Sequence, residues 1–158
     1  MERLRVLFLC TGNSARSQIA EALFRKLSRG RADVFSAGTD PEADVHPLAV
    51  EILTRRFDVD TEGLYPKHLE RFAGETFDYV ITVCDRAAEA CPTLPRDPER
   101  IHWSFEDPAG VDGEDAQRRA FESVANGLAA RLRVWMALPT VHRRLDAAEE
   151  RNVHHGRA

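Results

Sequence analysis

Five residues have side chains and settings suited to covalent chemistry: Cys10, Arg16, Cys84, Cys91 and Asp107. Cys10 ends an apolar run, and Arg16 follows six positions later in VLFLCTGNSAR. Between them, Gly12 allows a tight turn, and the small side chains of Thr11, Ser14 and Ala15 leave the loop open. Asn13 tolerates left-handed backbone angles and can brace the loop from within. Successive N–H groups in such a loop form a nest, and the start of a following helix adds positive potential. Arg16 offers a planar fork to two anion oxygens. The segment Thr11–Arg16 therefore reads as a cup for a tetrahedral oxyanion with a nucleophilic thiol at its base. The same positive surroundings are expected to lower the Cys10 pKa, making it a thiolate at neutral pH, with Ser17 donating a further hydrogen bond to sulfur. The plain alternative is a buried strand-end thiol and a surface arginine. A bare C-x5-R match is common, and specificity comes from the Gly and Asn inside it and the elements flanking it.

Asp107 lies before Pro108 in FEDPAG. The proline biases Asp107 toward extended backbone and stiffens the loop. A carboxylic acid near a bound oxyanion can protonate its leaving oxygen, although Asp-Pro is also an ordinary turn. Cys84 and Cys91 are separated by six residues. They read either as buried small hydrophobes or as redox thiols that exchange disulfides. The wide spacing and the absence of a second Cys pair argue against zinc. If residues 84–91 formed one helix, seven steps would separate the two Cα atoms by about 10 Å. A disulfide needs roughly 4.4–6.8 Å, so oxidation to a Cys84–Cys91 bridge requires this segment to loop out or unwind.

These residues need elements to hold them. Leu4–Cys10 reads as a buried strand and Ala15–Arg29 as a helix, with Ile19, Leu23 and Leu27 at i, i+4 and i+8. Further strands are expected at Ala32–Ser36, Phe77–Val83 and Arg100–Phe105. Further helices are expected at His46–Phe57, with Pro47 in the first turn, and at Glu114–Leu138, with short ones over 66–73 and 85–90. This alternation predicts an α/β fold: a parallel sheet with helices on both faces. Ligands of such sheets bind beyond the carboxyl ends of the strands, where Cys10, Cys84 and Asp107 converge. Residues 1–138 are expected to form a single catalytic domain. Residues 139–158, charged and without a clear apolar stripe, read as a surface helix or a frayed tail, and His154 and His155 as solvated tail residues.

The 158 residues suit one domain, and the net charge of -4 gives no electrostatic case for nucleic acid or an anionic membrane. No apolar run is long enough to span a bilayer, and the N-terminal run is too short for a signal-peptide core. Three cysteines do not make a disulfide scaffold. A cytoplasmic monomer is expected, with no cofactor and no metal.

VLFLCTGNSARSQIAEA resembles the signature of the low-molecular-weight protein tyrosine phosphatase superfamily, and C-T-G-N-S-x-R-S-Q resembles its thioredoxin-coupled arsenate reductase branch. The similarity runs through SAG (36–38), the Cys84/Cys91 pair and HWSFEDPAG (102–110). It implies a four-stranded parallel sheet, Cys10 as nucleophile, Arg16 as oxyanion clamp and Asp107 as general acid. It further implies a relay for reducing arsenate to arsenite, in which a Cys10–Cys84 disulfide passes to Cys84–Cys91 and thioredoxin regenerates the thiols. Phosphate or sulfate would mimic the substrate. Phosphotyrosine-directed members carry Tyr after the Asp-Pro, where this chain has Ala109. Some relatives hold potassium with residues matching Asn13, Glu21 and Ser36 plus an acidic side chain. The matching position here is Lys67, which can supply the positive charge itself. Two rival readings remain: a phosphatase for phosphotyrosine or small phosphoesters, which needs neither Cys84 nor Cys91, and a non-enzymatic thiol sensor or metal-binding module.

Overall fold

The apolar run that ends in Cys10 becomes an inner strand of a parallel sheet. A computed structural model of the chain describes residues 3–90 and 94–155. Cys91 lies outside the described residues, as do the side chains of His154 and His155. In chain order the elements are β1 (Leu4–Cys10), α1 (Arg16–Ser28), β2 (Ala32–Gly38), α2 (Pro47–Arg55), a 3-10 turn (Leu69–Phe72), β3 (Tyr79–Thr82), α3 (Asp85–Ala90), β4 (Glu99–His102), a second 3-10 turn (Pro108–Gly110), α4 (Glu114–Met136) and α5 (Pro139–His155). The strands run parallel in the order β2-β1-β3-β4. β1 pairs Leu4 with Ala32 and Cys10 with Gly38 on one side, and Val6 with Tyr79 and Leu9 with Thr82 on the other.

Leu4, Val6, Leu7, Phe8 and Leu9 are fully buried, so both faces of β1 are covered. On one face Phe8 packs edge-on against Phe24 of α1, which meets Trp135 of α4, and Trp135 in turn meets Tyr79 of β3. On the other, Phe35, Phe72 and Phe77 form a triangle of rings, with the Arg5 guanidinium 4.9 Å from the Phe35 ring centre. The third and fourth strands are shorter than their sequence patterns. β4 is an exposed edge strand, and its ladder to β3 covers only Glu99–His102.

Residues 139–155 form a continuous helix whose apolar stripe the sequence reading missed. Val141, Leu145 and Ala148 are buried at i, i+4 and i+7, although charged residues surround them. Arg144 makes two 3.2 Å hydrogen bonds to Asp78, just before β3. Arg31, just before β2, lies 3.6 Å from Asp146 and 3.7 Å from Glu149. These contacts put α5 at the amino-terminal edge of the sheet, and the thiol-bearing edge is left to the loops after β1, β3 and β4.

Candidate active site

At the carboxyl edge, the loop after β1 folds over the start of α1. Gly38 at the end of β2 makes room for it, since a Cβ there would lie 2.5 Å from the Thr11 carbonyl oxygen. The left-handed residue of the loop is Asn13 (φ 47°), not Gly12. Gly12 instead allows the Glu42 side chain to approach, since a Cβ on it would sit 2.9 Å from Glu42 Cγ. No side chain caps α1, which leaves its first N–H groups available to an anion.

Asn13 is fully buried and braces the loop from behind. Its Nδ2 donates to Ser17 Oγ at 2.7 Å and to Ser36 Oγ at 3.0 Å. Its Oδ1 accepts from the Lys67 amide N–H at 3.0 Å and from Gln18 Nε2 at 3.1 Å. Of the residues expected to bind the oxyanion, Thr11, Gly12, Ser14, Ala15 and Arg16 line a shared cavity of about 630 Å³. Asn13 does not line it and acts through the loop, its backbone N–H donating to Cys10 Sγ at 3.2 Å. Ser17 likewise lies behind the nucleophile, its Oγ 2.8 Å from Cys10 Sγ.

Cys10 differs from the expected thiolate. Burial is the dominant influence and pushes the thiol pKa up, while hydrogen bonds from Ser17 and Asn13 pull it back only in part. The Arg16 guanidinium faces elsewhere, with Nη1 donating to the Phe105 carbonyl oxygen at 2.8 Å. Desolvation of the buried thiol thus outweighs the hydrogen bonds that favour the thiolate.

The same cavity is lined by Cys84 and Asp107. Cys84 is buried and carries a free thiol, 3.4 Å from Thr11 Oγ1. Asp107 begins the second 3-10 turn, and its Oδ1 accepts from the Ala109 N–H at 3.0 Å. That contact fixes the carboxyl group at the cavity wall. Cys10, Arg16, Cys84 and Asp107 are thus brought together, and Cys91 lies outside the described residues.

The sequence reading missed other residues at the mouth. Asp40, Glu42, Asp85 and Glu106 line it, as does His46, whose Nδ1 caps α2 by accepting from the Leu48 N–H. Glu42 and His46 reach the cup through the loop after β2, which is threaded along it by backbone bonds from Glu42 to Gly12 and from His46 to Ser14. No local spacing signals such pairing.

Lys67 occupies the place where relatives were expected to hold potassium. Its Nζ lies 3.7 Å from Glu21 Oε1 and donates to the Tyr65 carbonyl oxygen at 2.9 Å. Burial lowers the Lys67 pKa, and Glu21 opposes that fall. Ser36 Oγ donates to Glu21 Oε1, and the Asn13 amide oxygen is already taken. With an ammonium group against Glu21 and these oxygens engaged, the residues do not fit a bound potassium ion. Among the described residues, no group of three or more His, Cys, Asp or Glu is placed to hold a metal.

The fold and this constellation define a class. The chain belongs to the low molecular weight phosphotyrosine protein phosphatase family, whose model matches residues 5–148. Within that family its similarities point to arsenate reductases. It is 35% identical over 136 residues to the arsenate reductase of Halalkalibacterium halodurans, covering 85% of this chain and 96% of the relative. A thioredoxin-dependent arsenate reductase of Corynebacterium glutamicum superposes with a TM-score of 0.67 at 31% identity, covering 85% of this chain and 61% of that one. This chain thus spans about three-fifths of that neighbour. An arsenate reductase in its phosphate-binding state superposes with a TM-score of 0.69 at 28% identity, covering 85% of this chain and 97% of that one.

Proposed function

We propose that this protein reduces arsenate to arsenite by a three-cysteine relay. The observation that carries the reading is the placement of two free thiols, Cys10 and Cys84, in one cavity with Arg16 and Asp107. A phosphatase needs only the first thiol. The arsenate reductases among the relatives support the substrate, and the thioredoxin-dependent neighbour supports the reductant.

The oxyanion sits on the N–H groups of the loop residues that line the cavity, Ser14, Ala15 and Arg16 among them, and the Arg16 guanidinium swings from the Phe105 carbonyl to two of its oxygens. Cys10 sulfur attacks arsenic. Asp107 protonates the departing oxygen, and the thiol proton of Cys10 replaces the one Asp107 gave. Thiol and hydrogen arsenate therefore yield a thioester of arsenic and one water, with no net proton exchanged.

In the second step Cys84 sulfur attacks Cys10 sulfur. The sulfur–arsenic bond breaks, its electron pair stays on arsenic, and As(V) becomes As(III) as the Cys10–Cys84 disulfide forms. Cys91 then attacks Cys84, releasing Cys10 as a thiol and leaving Cys84–Cys91. A dithiol of the thioredoxin class reduces that bridge and is itself oxidised. Such a cycle runs in a reducing compartment, so we assign the protein to the cytoplasm. Among the described residues, no helix is long and apolar enough to cross a membrane. Every residue invoked belongs to one chain, so we assign a monomer as the working unit, with residues 1–138 as its catalytic domain and 139–158 as an extension.

The test is a single turnover. Fully reduced protein mixed with arsenate, without any reductant, should lose two thiols for each arsenite formed, and Cys10→Ser should form none. Unchanged thiols in a protein that hydrolyses phenyl phosphate would favour the phosphatase reading.

A further inference from the structure

The residues on either side of Cys84 are tied to the sheet edge by a side-chain relay that the reaction scheme does not use. His102 Nδ1 lies 2.7 Å from Thr82 Oγ1, and His102 Nε2 lies 2.8 Å from Asp85 Oδ1. Ser104 Oγ donates to the same carboxylate oxygen at 3.2 Å. Thr82 ends β3, His102 ends β4 directly opposite it, and Asp85 begins α3. The relay therefore spans three elements and brackets the thiol, which follows Thr82 by two residues and precedes Asp85.

Donor and acceptor roles follow from the chemistry. An ionised carboxylate only accepts, so Nε2 carries the proton toward Asp85. The bonds from His102 and Ser104 keep the Asp85 pKa low. On the other side of the ring, Nδ1 pairs with the Thr82 hydroxyl, which also lies 3.4 Å from the Ile101 carbonyl oxygen. The main chain is held in the same place, with Val83 N–H donating to the Leu9 carbonyl and Trp103 N–H to the Thr82 carbonyl, both at 2.8 Å. Cys84 itself is 3% exposed.

We infer that His102 is a positioning residue for the second thiol: it pins the first residue of α3 to the end of β4, so that Cys84 stays beside Cys10. The relay proposed above requires two opposed properties of one segment, and this inference rests on that reading. Cys84 must be held for attack on Cys10, yet it must later meet Cys91, and a helix spanning 84–91 would keep the two Cα atoms about 10 Å apart, beyond disulfide range. The clamp lies only at the start of the segment. It fixes the thiol and leaves the residues after Asp85 unpinned by this relay.

The test reads position directly and needs no arsenate. In a Cys91→Ser background, the protein is equilibrated with reduced and oxidised glutathione. Cys10 and Cys84 give up two protons and two electrons to form their disulfide, and one oxidised glutathione becomes two reduced molecules. The equilibrium constant is the effective concentration of Cys84 at Cys10. His102→Phe, which keeps a ring but loses both bonds, should lower that concentration by ten-fold or more. His102→Gln, which keeps a donor and an acceptor, should recover much of it. Phenyl phosphate hydrolysis, which needs no Cys84, should stay within two-fold in both variants and reports that they are folded. An unchanged effective concentration in His102→Phe would overturn the inference, as would an equal loss of hydrolysis. Because arsenate takes no part, a failure of the arsenate reaction would be seen separately.

Discussion

Replacing Gly127 by alanine should slow acid catalysis while leaving the fold as stable as before. Gly127 lies inside α4, where alanine is favoured over glycine by about 1 kcal/mol. The new Cβ, however, would lie 3.0 Å from Phe105 Cε1, with Cζ at 3.8 Å and Cδ1 at 3.9 Å. Ordinary carbon contacts are about 3.5–4.0 Å, so the ring must retreat by about 0.5–1 Å. Crowding of this kind costs about 1–3 kcal/mol in a tight core, and Phe105 is only half-buried, so the low end applies. The two contributions nearly cancel, and the melting temperature should shift by no more than about 4 °C.

The chemistry is less forgiving. The Phe105 carbonyl receives Arg16 Nη1 at 2.8 Å, and Asp107 lies two residues further along the same loop. A misplacement of about 1 Å can cost on the order of 10²-fold. Hydrolysis of phenyl phosphate, whose leaving group needs a proton, should fall about 10- to 100-fold in kcat. Hydrolysis of 4-nitrophenyl phosphate, whose leaving group needs none, should fall far less. In an Asp107→Asn background the alanine should cost less than about three-fold, because both changes act on one step. Full activity on phenyl phosphate, or an equal loss in both backgrounds, would refute the reasoning.

Lys67→Met should destabilise the protein by about 1–3 kcal/mol, below the ~3–5 kcal/mol of an orphaned buried charge, because Arg25 remains 3.2 Å from Glu21. Potassium should raise the melting temperature of this variant more than that of the wild type, and an equal response would contradict the built-in cation. Burial raises the Cys10 pKa in the folded state, so its contribution to stability is complete below the unfolded thiol value and is lost as pH rises through the folded one. Iodoacetamide alkylation of Cys10 in a Cys84→Ser/Cys91→Ser variant should keep accelerating above about pH 8.5, and a midpoint near pH 7 would contradict the account. Ending the chain at Leu138 exposes the surface under Val141, Leu145 and Ala148. It should cost about 3–6 kcal/mol while leaving kcat unchanged, since α5 packs at the opposite edge of the sheet; a lowered kcat would refute that separation.

What could be read in the sequence was whatever a local pattern carries. β1, the turn at Cys10 and α1 are contiguous, so thiol, loop and arginine announce their own geometry within the first 28 residues. Asp107 was singled out by the family resemblance, since an Asp-Pro step alone also reads as an ordinary turn. The contact of Lys67 with Glu21 spans 46 positions and was reached only through the family resemblance. Arg16 was expected to clamp two oxygens of a bound anion; its hydrogen bond to the Phe105 carbonyl was not legible, because backbone carbonyls leave no mark on residue type. The thiolate expectation weighed the positive loop and not the burial of Cys10, only 3% exposed, which packing decides. α5 hid its stripe because three apolar side chains suffice when ion pairs tie the helix to the sheet edge, Arg144 to Asp78 and Asp146 to Arg31. The His102–Asp85 pair joins strand ends to a helix start, and only the parallel register of β3 with β4 brings them together.

The most direct measurement of the central claim is arsenate-dependent NADPH consumption with thioredoxin and thioredoxin reductase, comparing wild type with Cys91→Ser. The three-cysteine relay predicts sustained turnover in the wild type and no more than a single event per chain in the variant. Equal turnover by both proteins, or none by either while both hydrolyse phenyl phosphate, would contradict it.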